Sequence, residues 1–315
     1  MTAAVQTVES AAMAVPAPVS VRAVGASLPD LRVDANEIAR AWGARAKGAV
    51  RVCDFDQDAL TLGWDAATAA LAAANLHPGE VDFLAWGVGR PPFAEGPSHS
   101  LLAASLEIPP DAQGLLVGAS PTAGLEALFA GWDAIAGRAA RVALVVASDA
   151  TVPGPGTGLE TRTGAGAAAF VLSAAGGPAK LVARASRSVP IVDRYRGDGE
   201  AASRDLYDGR LFREEVFLPE TIALASVLSD DVAAWSLPDP DGRLGAALAK
   251  RLGGEHASAE LFARAGETGA AAPLLGLLPS LTGAGRAGAI AHGGGRTLGV
   301  SVESDGAVPG AGSLA

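Results

Sequence analysis

The stretch whose reading decides the fold runs from Gln113 to Ser173: QGLLVGASPTAGLEALFAGWDAIAGRAARVALVVASDATVPGPGTGLETRTGAGAAAFVLS. It reads as strand, sharp turn, helix, strand, glycine-rich loop and strand. The apolar run Leu115-Leu116-Val117 enters the turn Gly118-Ala119-Ser120-Pro121. Leu125, Leu128, Phe129, Trp132 and Ile135 recur at the spacing of one helix face. Val142 to Val146 is a buried strand that ends at Ala147-Ser148-Asp149. A strand-to-helix turn holds a side chain up at a helix N-terminus, which is where many α/β enzymes place a nucleophile. Ser120 is therefore the first candidate. Its competing duty is plainer: Ser-Pro ahead of a periodic helix reads as an N-cap followed by Pro at the first helical position.

Working outward, apolar and amphipathic runs alternate on both sides of this stretch. Towards the N-terminus, Val19 to Ala26 and Val81 to Gly87 read as strands, and Asp34 with Glu37 reads as a capping box. A helix carries Leu60, Trp64, Ala67 and Leu71 on one side. Towards the C-terminus, strands are expected at Lys180 to Ser186, Val232 to Trp235, Ala287 to Ala291 and Thr297 to Glu303. Leu261 to Ala263 is expected to be a brief strand or turn, and Thr268 to Leu281 a very apolar helix. Asp239-Pro240 is a good N-cap and N1 pair for a helix ending at Gly253. Arg187 to Arg213, the most polar part of the chain, reads as a surface excursion. Gly293-Gly294-Gly295 reads as a tight turn between two strands. Such alternation predicts an α/β protein with buried sheets.

Composition narrows the function. The 315 residues are 49% apolar and carry a net charge of −10, enough for a large core and unsuited to a broad nucleic-acid or anionic-membrane footprint. No apolar run reaches the length of a membrane span. The lone cysteine, Cys53, fits a reducing, cytoplasmic setting and forms no internal disulfide. Its acidic neighbours are expected to raise its pKa. One cysteine and four scattered histidines give no metal-ligand spacing, so no metal is expected. Neither a GxxxxGK[ST] loop nor a strand-GxGxxG-helix unit is present. Residues 1–18 are expected to be a disordered leader and residues 304–315 a loose tail.

The order of the pieces resembles the thiolase superfamily, most closely its branch of 3-hydroxy-3-methylglutaryl-CoA synthases and type III ketoacyl synthases. The resemblance covers about residues 19 to 303. It is carried by VRAVGASLPDLRVDANEIARAWG, LEIPPDA, RVALVVASDA, GLETRTGAGAAAFVLS, ARAGETGAAAPLLGLL and AIAHGGGRTLGVSV. It implies two similar βαβαβαββ halves, residues 19–179 and 180–303, that form a five-layered α/β/α/β/α structure. It also implies a coenzyme A thioester as substrate or ligand with no permanently bound cofactor, and a dimer with a copy or with a thiolase-like chain. An accessory zinc-ribbon/OB-fold protein is a further implied partner.

The resemblance also implies a cysteine nucleophile, a histidine and an asparagine, with a glutamate in the synthase branch. The cysteine position falls on Ser120, the histidine on Ser236 in Trp235-Ser236-Leu237-Pro238, and the asparagine on Glu267 in Gly266-Glu267-Thr268-Gly269. The glutamate falls near Gly89. All four are therefore expected to be substituted. A serine hydroxyl is far less acidic than a thiol and needs an adjacent base. An ionised Glu267 accepts hydrogen bonds and opposes an enolate, where the asparagine would donate. His292, beside the triple glycine, is a possible relocated base for Ser120. Lys250 and Arg251, and also Arg194 and Arg196, are candidates for coenzyme A phosphates. Asp149 and Glu160 read as structural or interfacial.

Three functions follow: a catalytically degenerate subunit of an acyl-CoA-using acyltransferase or condensing complex, a serine acyltransferase or thioesterase acting through Ser120, and a binder of acyl-CoA or acyl-carrier thioesters.

Overall fold

The computed structural model describes residues 18–314 apart from 175, 206–208, 229–230 and 240–243. The expected leader, but for its last residue, and Pro240 of the expected cap therefore lie outside the described residues.

Ten strands and six helices build the frame, and they come in two matching sets. The first is β1 (Val19–Ser27), α1 (Ala59–Ala74), β2 (Phe83–Val88), α2 (Ser98–Ser105), β3 (Gln113–Gly118), α3 (Ala123–Ala136), β4 (Val142–Ala150) and β5 (Ala165–Ser173). The second is β6 (Ala179–Ser188), α4 (Leu218–Leu228), β7 (Ala234–Ser236), α5 (Leu244–Leu252), β8 (Glu255–His256), α6 (Ala272–Leu277), β9 (Gly285–Gly293) and β10 (Arg296–Ser304). Each set is βαβαβαββ. The strands lie in the order β8-β7-β9-β10-β6-β1-β5-β4-β2-β3, so each half repeats one arrangement and β1 joins β6 at the centre. In each half the outer trio is parallel (β4-β2-β3 and β9-β7-β8) and the two strands nearest the centre run antiparallel.

Three apolar clusters show how the layers stack. The central one joins α3 and α6 to both halves of the sheet, through Leu125, Leu128 and Trp132 on one side and Leu274, Ala289 and Val300 on the other. A second lies between α1 and the outer face of the first half, with Leu62, Trp86 and Val146. The third lies between α4, α5 and the outer face of the second half, with Phe217, Leu224, Leu248 and Ile290. The result is helix, sheet, helix, sheet, helix: the expected five-layered thiolase fold. Strand β5 is buried along its whole length. It therefore shows a continuous apolar run in place of alternation.

Several local expectations are corrected. Residues 261–263 are part of a helix, Ala259–Ala265, and not a strand or turn. The long apolar helix expected at 268–281 is three short turns, because Pro273 and Pro279 each restart the backbone pattern. Asp34 caps its helix with one bond to Asn36 N–H, whereas the full capping box is Asp58 with Thr61, at the start of α1. The tail is not loose: Val308 is 2% exposed, Pro309 accepts a hydrogen bond from Val24 N–H, and Ala311–Leu314 forms a 3-10 turn. The triple glycine does turn tightly between β9 and β10, with Gly294 at φ +60° and Gly295 at φ +70°.

Candidate functional site

The parallel strands of both halves point their carboxyl ends at one place. There Gly89 and Arg90 after β2, Ala119 to Pro121 after β3, Asp149 and Thr151 at the end of β4, Leu237 and Pro238 after β7, and Ala291 and His292 at the end of β9 line a cavity of about 610 Å³. A crevice at the carboxyl ends of strands is where open α/β sheets bind ligands. The polar excursion after β6 forms another wall, with Asp193, Arg194, Tyr195, Arg196, Arg210 and Arg213. It is therefore part of the site and not merely surface, which its charge alone did not show.

Ser120 is on the wall of this cavity. The turn that carries it is strained one residue earlier, where Ala119 has φ +67°. The expected capping arrangement is corrected. Helix α3 begins at Ala123, with Thr122 in the N-cap position and no side-chain cap bond. Ser120 Oγ instead accepts from Thr122 N–H at 3.2 Å and shares a hydrogen bond of 2.8 Å with Thr122 Oγ1. Thr122 Oγ1 donates to Glu126, which pairs with Arg296.

Ser236 does not join the cavity. It is 1% exposed, its Oγ has no hydrogen-bond partner among the described residues, and a Cβ added at Gly276 would fall 2.2 Å from that oxygen. The two residues after it line the cavity instead. Glu267 does line it. Its backbone bridges to the loop before β5, donating to Arg162 C=O and accepting from Gly164 N–H. Its Oε1 accepts from Gly269 N–H at 3.2 Å. Burial pushes its carboxyl up to about 7, against the pull of the Arg194 guanidinium and with help from Asp239 and Asp149.

His292 also lines the cavity. Its Nδ1 is 2.8 Å from Thr297 Oγ1, and its Nε2 is 4.0 Å from Asp193 Oδ2, beyond hydrogen-bond reach. The rings of Phe212 and Phe217 stand 5.5 and 5.3 Å from the imidazole. Burial holds its pKa below the usual histidine range, so the ring is neutral in the neutral pH range. No hydrogen bond among the described residues joins it to Ser120. The triple-glycine turn does close on the serine, since a Cβ added at Gly294 would lie 3.4 Å from Ser120 Oγ.

Lys250 and Arg251 end α5 and are absent from the cavity wall. The cationic wall is made by Arg90, Arg162, Arg194, Arg196, Arg210 and Arg213. Of the phosphate candidates read from the sequence, only Arg194 and Arg196 are there. The acidic residue that the sequence showed as structural or interfacial is the deepest one. Asp149 is 2% exposed and accepts hydrogen bonds from Ala150 N–H, Ala270 N–H and Thr151 Oγ1. Burial raises its pKa against those bonds. A Cβ at Gly89 or at Gly269 would come within 2.2 Å of its Oδ2, so this carboxylate fills the space that a side chain at position 89 would need. Glu160 has a structural role, since its Oε2 accepts from Trp42 Nε1 and Gly156 N–H. Cys53 is half-buried away from the cavity, and its thiol is pushed up to about 11 by burial first and Asp58 second. Among the described residues no cluster of three or more His, Cys, Asp or Glu could hold a metal ion. No helix among them is long and apolar enough to cross a membrane.

No protein-family profile matches the chain. The chain is 33% identical over 150 residues to the hydroxymethylglutaryl-CoA synthase of Pyrococcus horikoshii, covering 47% of this chain and 43% of that one. It is 26% identical over 246 residues to the hydroxymethylglutaryl-CoA synthase of Methanothermobacter thermautotrophicus, covering 73% and 70%. At the higher identity, then, the match spans less than half the length of the curated relative. In three dimensions the fold matches MvaS in complex with 3-hydroxy-3-methylglutaryl coenzyme A, with a TM-score of 0.82 at 18% identity, over 93% of this chain and 85% of that one. It also matches 3-oxoacyl-(acyl carrier protein) synthase III, FabH, of Pseudomonas aeruginosa PAO1, with a TM-score of 0.74 at 22% identity, over 92% and 99%.

Proposed function

This chain belongs to the thiolase superfamily, on its hydroxymethylglutaryl-CoA synthase and type III ketoacyl synthase side, and from that premise we propose that it is a catalytically degenerate subunit of an acyl-CoA-using acyltransferase or condensing complex. It keeps a cavity for a coenzyme A thioester and lacks the groups that would carry out condensation on it. The observation that carries this reading is the place of Ser236. The position at which the resemblance implies a histidine holds a buried hydroxyl that does not reach the cavity. Thioester binding is supported by the arginine wall and by the matched MvaS structure, which holds a coenzyme A ester. Phosphates favour such guanidinium sites.

A partner chain fits the same reading. Strand β3 is the outer strand of its half, and Leu115, Leu116 and Val117 on it are only half-buried. An edge of this kind is a ready template for pairing. A copy of this chain or a thiolase-like chain would cover it, with the zinc-ribbon/OB-fold protein as a further member.

Titration calorimetry with coenzyme A and acetyl-CoA, followed by intact-mass measurement, tests the proposal. Binding without covalent mass gain is expected. Turnover of acyl-CoA by the purified chain, abolished by Ser120→Ala, would sink it. A second reading is favoured by one observation: Ser120 and His292 share a cavity wall. In that reading Ser120 is an acyl-transfer nucleophile, and an acyl adduct on Ser120 is the result that would establish it.

A further inference from the structure

Next to Glu267 lies a second, much smaller cavity of about 20 Å³. Glu267 borders both it and the large cavity. The other polar side chains on the small wall are Asp239, Ser258 and Thr268, which are 5%, 7% and 0% exposed. Thr268 Oγ1 is buried and without a hydrogen-bond partner among the described residues. Asp239 Oδ1 accepts from Leu244 N–H at 3.0 Å, and Ser258 Oγ accepts from Leu237 N–H at 3.2 Å. A buried hydroxyl left unpaired loses the hydrogen bonds it would make with water. A space of this size admits a single water, and buried waters need two to four polar partners, which these side chains can supply.

We infer that the small cavity is a one-water site, and that through this water Glu267 takes up and releases a proton, so that in its acid form it donates a hydrogen bond to the carbonyl oxygen of a thioester in the large cavity. A carboxylic acid has the O–H donor that a carboxylate lacks. The substitution at this position then exchanges a permanent amide donor for one that depends on pH. The charged groups facing Glu267 are Arg194, Asp239 and Asp149, and Arg162 is bonded to its backbone. Burial first, with two carboxylates against one guanidinium, raises the carboxyl to about 7, so the neutral acid prevails below neutrality and gives way above it.

The inference rests on the large cavity's being a thioester site, and two readouts keep the two ideas apart. The first is the affinity of coenzyme A against that of a non-cleavable ketone analogue of acetyl-CoA, at pH 6 and pH 8. The native protein is expected to prefer the ketone by about tenfold at pH 6 and to lose the preference at pH 8. Glu267→Gln donates at either pH and keeps it. A native preference equal at both pH values overturns the donor role. The second readout needs no ligand: carbon-13 NMR of the Glu267 carboxyl across pH. Titration near neutrality, with a midpoint moved by Thr268→Val, supports the water-linked proton. Titration in the ordinary glutamate range, or a midpoint indifferent to Thr268→Val, overturns it. If neither ligand binds, the thioester reading and the donor role both fall, and the NMR result still decides the water site.

Discussion

The Oγ of Ser120 and the Oγ1 of Thr122 stand 2.8 Å apart, and the Thr122 N–H donates to the same serine oxygen at 3.2 Å. The hydroxyl that occupies the expected nucleophile position is thus tied into its own turn. Activating it would require a base within reach. The hydrogen bonds it makes lead through Thr122 to Glu126, whose carboxylate is engaged with Arg296. The first prediction concerns this turn. Ser120→Ala is expected to cost about 1 kcal/mol of stability, the worth of one local hydrogen bond, and to leave thioester affinity unchanged. Ser120→Cys is expected to gain an acyl group from acetyl-CoA, since a thiol at a strand-to-helix turn is more easily ionised. It is not expected to form a condensed product, because Ser236 is outside the cavity. Intact mass and product chromatography on the two variants check both halves.

The cationic wall separates the cavity arginines from the basic end of α5. Arg162→Ala and Arg213→Ala are each expected to weaken coenzyme A binding by about tenfold and to flatten its salt dependence, as loss of one charge-assisted phosphate contact does. Lys250→Ala and Arg251→Ala should leave affinity where it was. Calorimetry at two ionic strengths makes the comparison, and a loss confined to the α5 variants would move the binding site away from the cavity.

Much of the fold was legible because its signals are local and repeated. Helix α3 shows its buried stripe in the spacing of Leu125, Leu128, Trp132 and Ile135, and β5 shows double-sided burial in an unbroken apolar run. The site was only partly legible. Ser120, Glu267 and His292 meet at one cavity because each follows a recognisable strand or glycine motif. Asp149 was missed as a cavity residue, since a carboxylate at a strand end reads as structural until its neighbours are known. The signal that could have found it is the pair Gly89 and Gly269, both of which leave it room. Ser236 and Leu237 differ by one position in the chain, and no periodicity says which of two residues at a strand's end turns into a cavity. Lys250 and Arg251 form a basic helix end, a pattern equally suited to open solvent.

The ion pair of Arg187 and Glu220 ties β6 to α4 at 2.7 Å, with the side chains 16% and 10% exposed. Replacing Glu220 takes the carboxylate out of an ion pair that is held largely away from water. Glu220→Gln is expected to lower unfolding free energy by about 3 kcal/mol in denaturant titration. The double change Arg187→Met with Glu220→Leu should recover most of that loss. A single variant as stable as the parent would mean that the pair carries no net weight.

Gly124 is inside α3, yet it is a packing requirement. A Cβ there would come within 2.1 Å of the Ala270 carbonyl oxygen and 3.0 Å of the Ala147 Cβ. Ala270 belongs to the second half and Ala147 to the first, so this glycine lets the two halves approach across the central layer. Gly124→Ala should favour the helix in isolation by about 1 kcal/mol and still destabilise the protein, since backbone atoms must move to admit the methyl group. The expected net loss is about 1–3 kcal/mol. Thermal unfolding of the variant decides the sign.

The last prediction follows from the carboxyl of Glu267, which burial pushes from 4.5 up to about 7 in the folded chain. Below pH 4.5 the group holds its proton in both the folded and the unfolded chain, so it imposes no penalty. Between 4.5 and 7 the unfolded chain releases the proton while the folded chain retains it, and stability falls as pH rises. Above 7 both forms are ionised and the loss is complete. Glu267→Gln has no charge to bury and so escapes the loss. Its melting temperature should match the parent's at pH 4.5 within the effect of the amide itself, and should exceed it by about 2 °C or more at pH 8. The partial exposure of the side chain keeps the gain well under what the full shift would give. Melting curves of both proteins across that range are the measurement. A difference that stays constant from pH 4.5 to 8 would show that Glu267 titrates alike in the folded and unfolded chain.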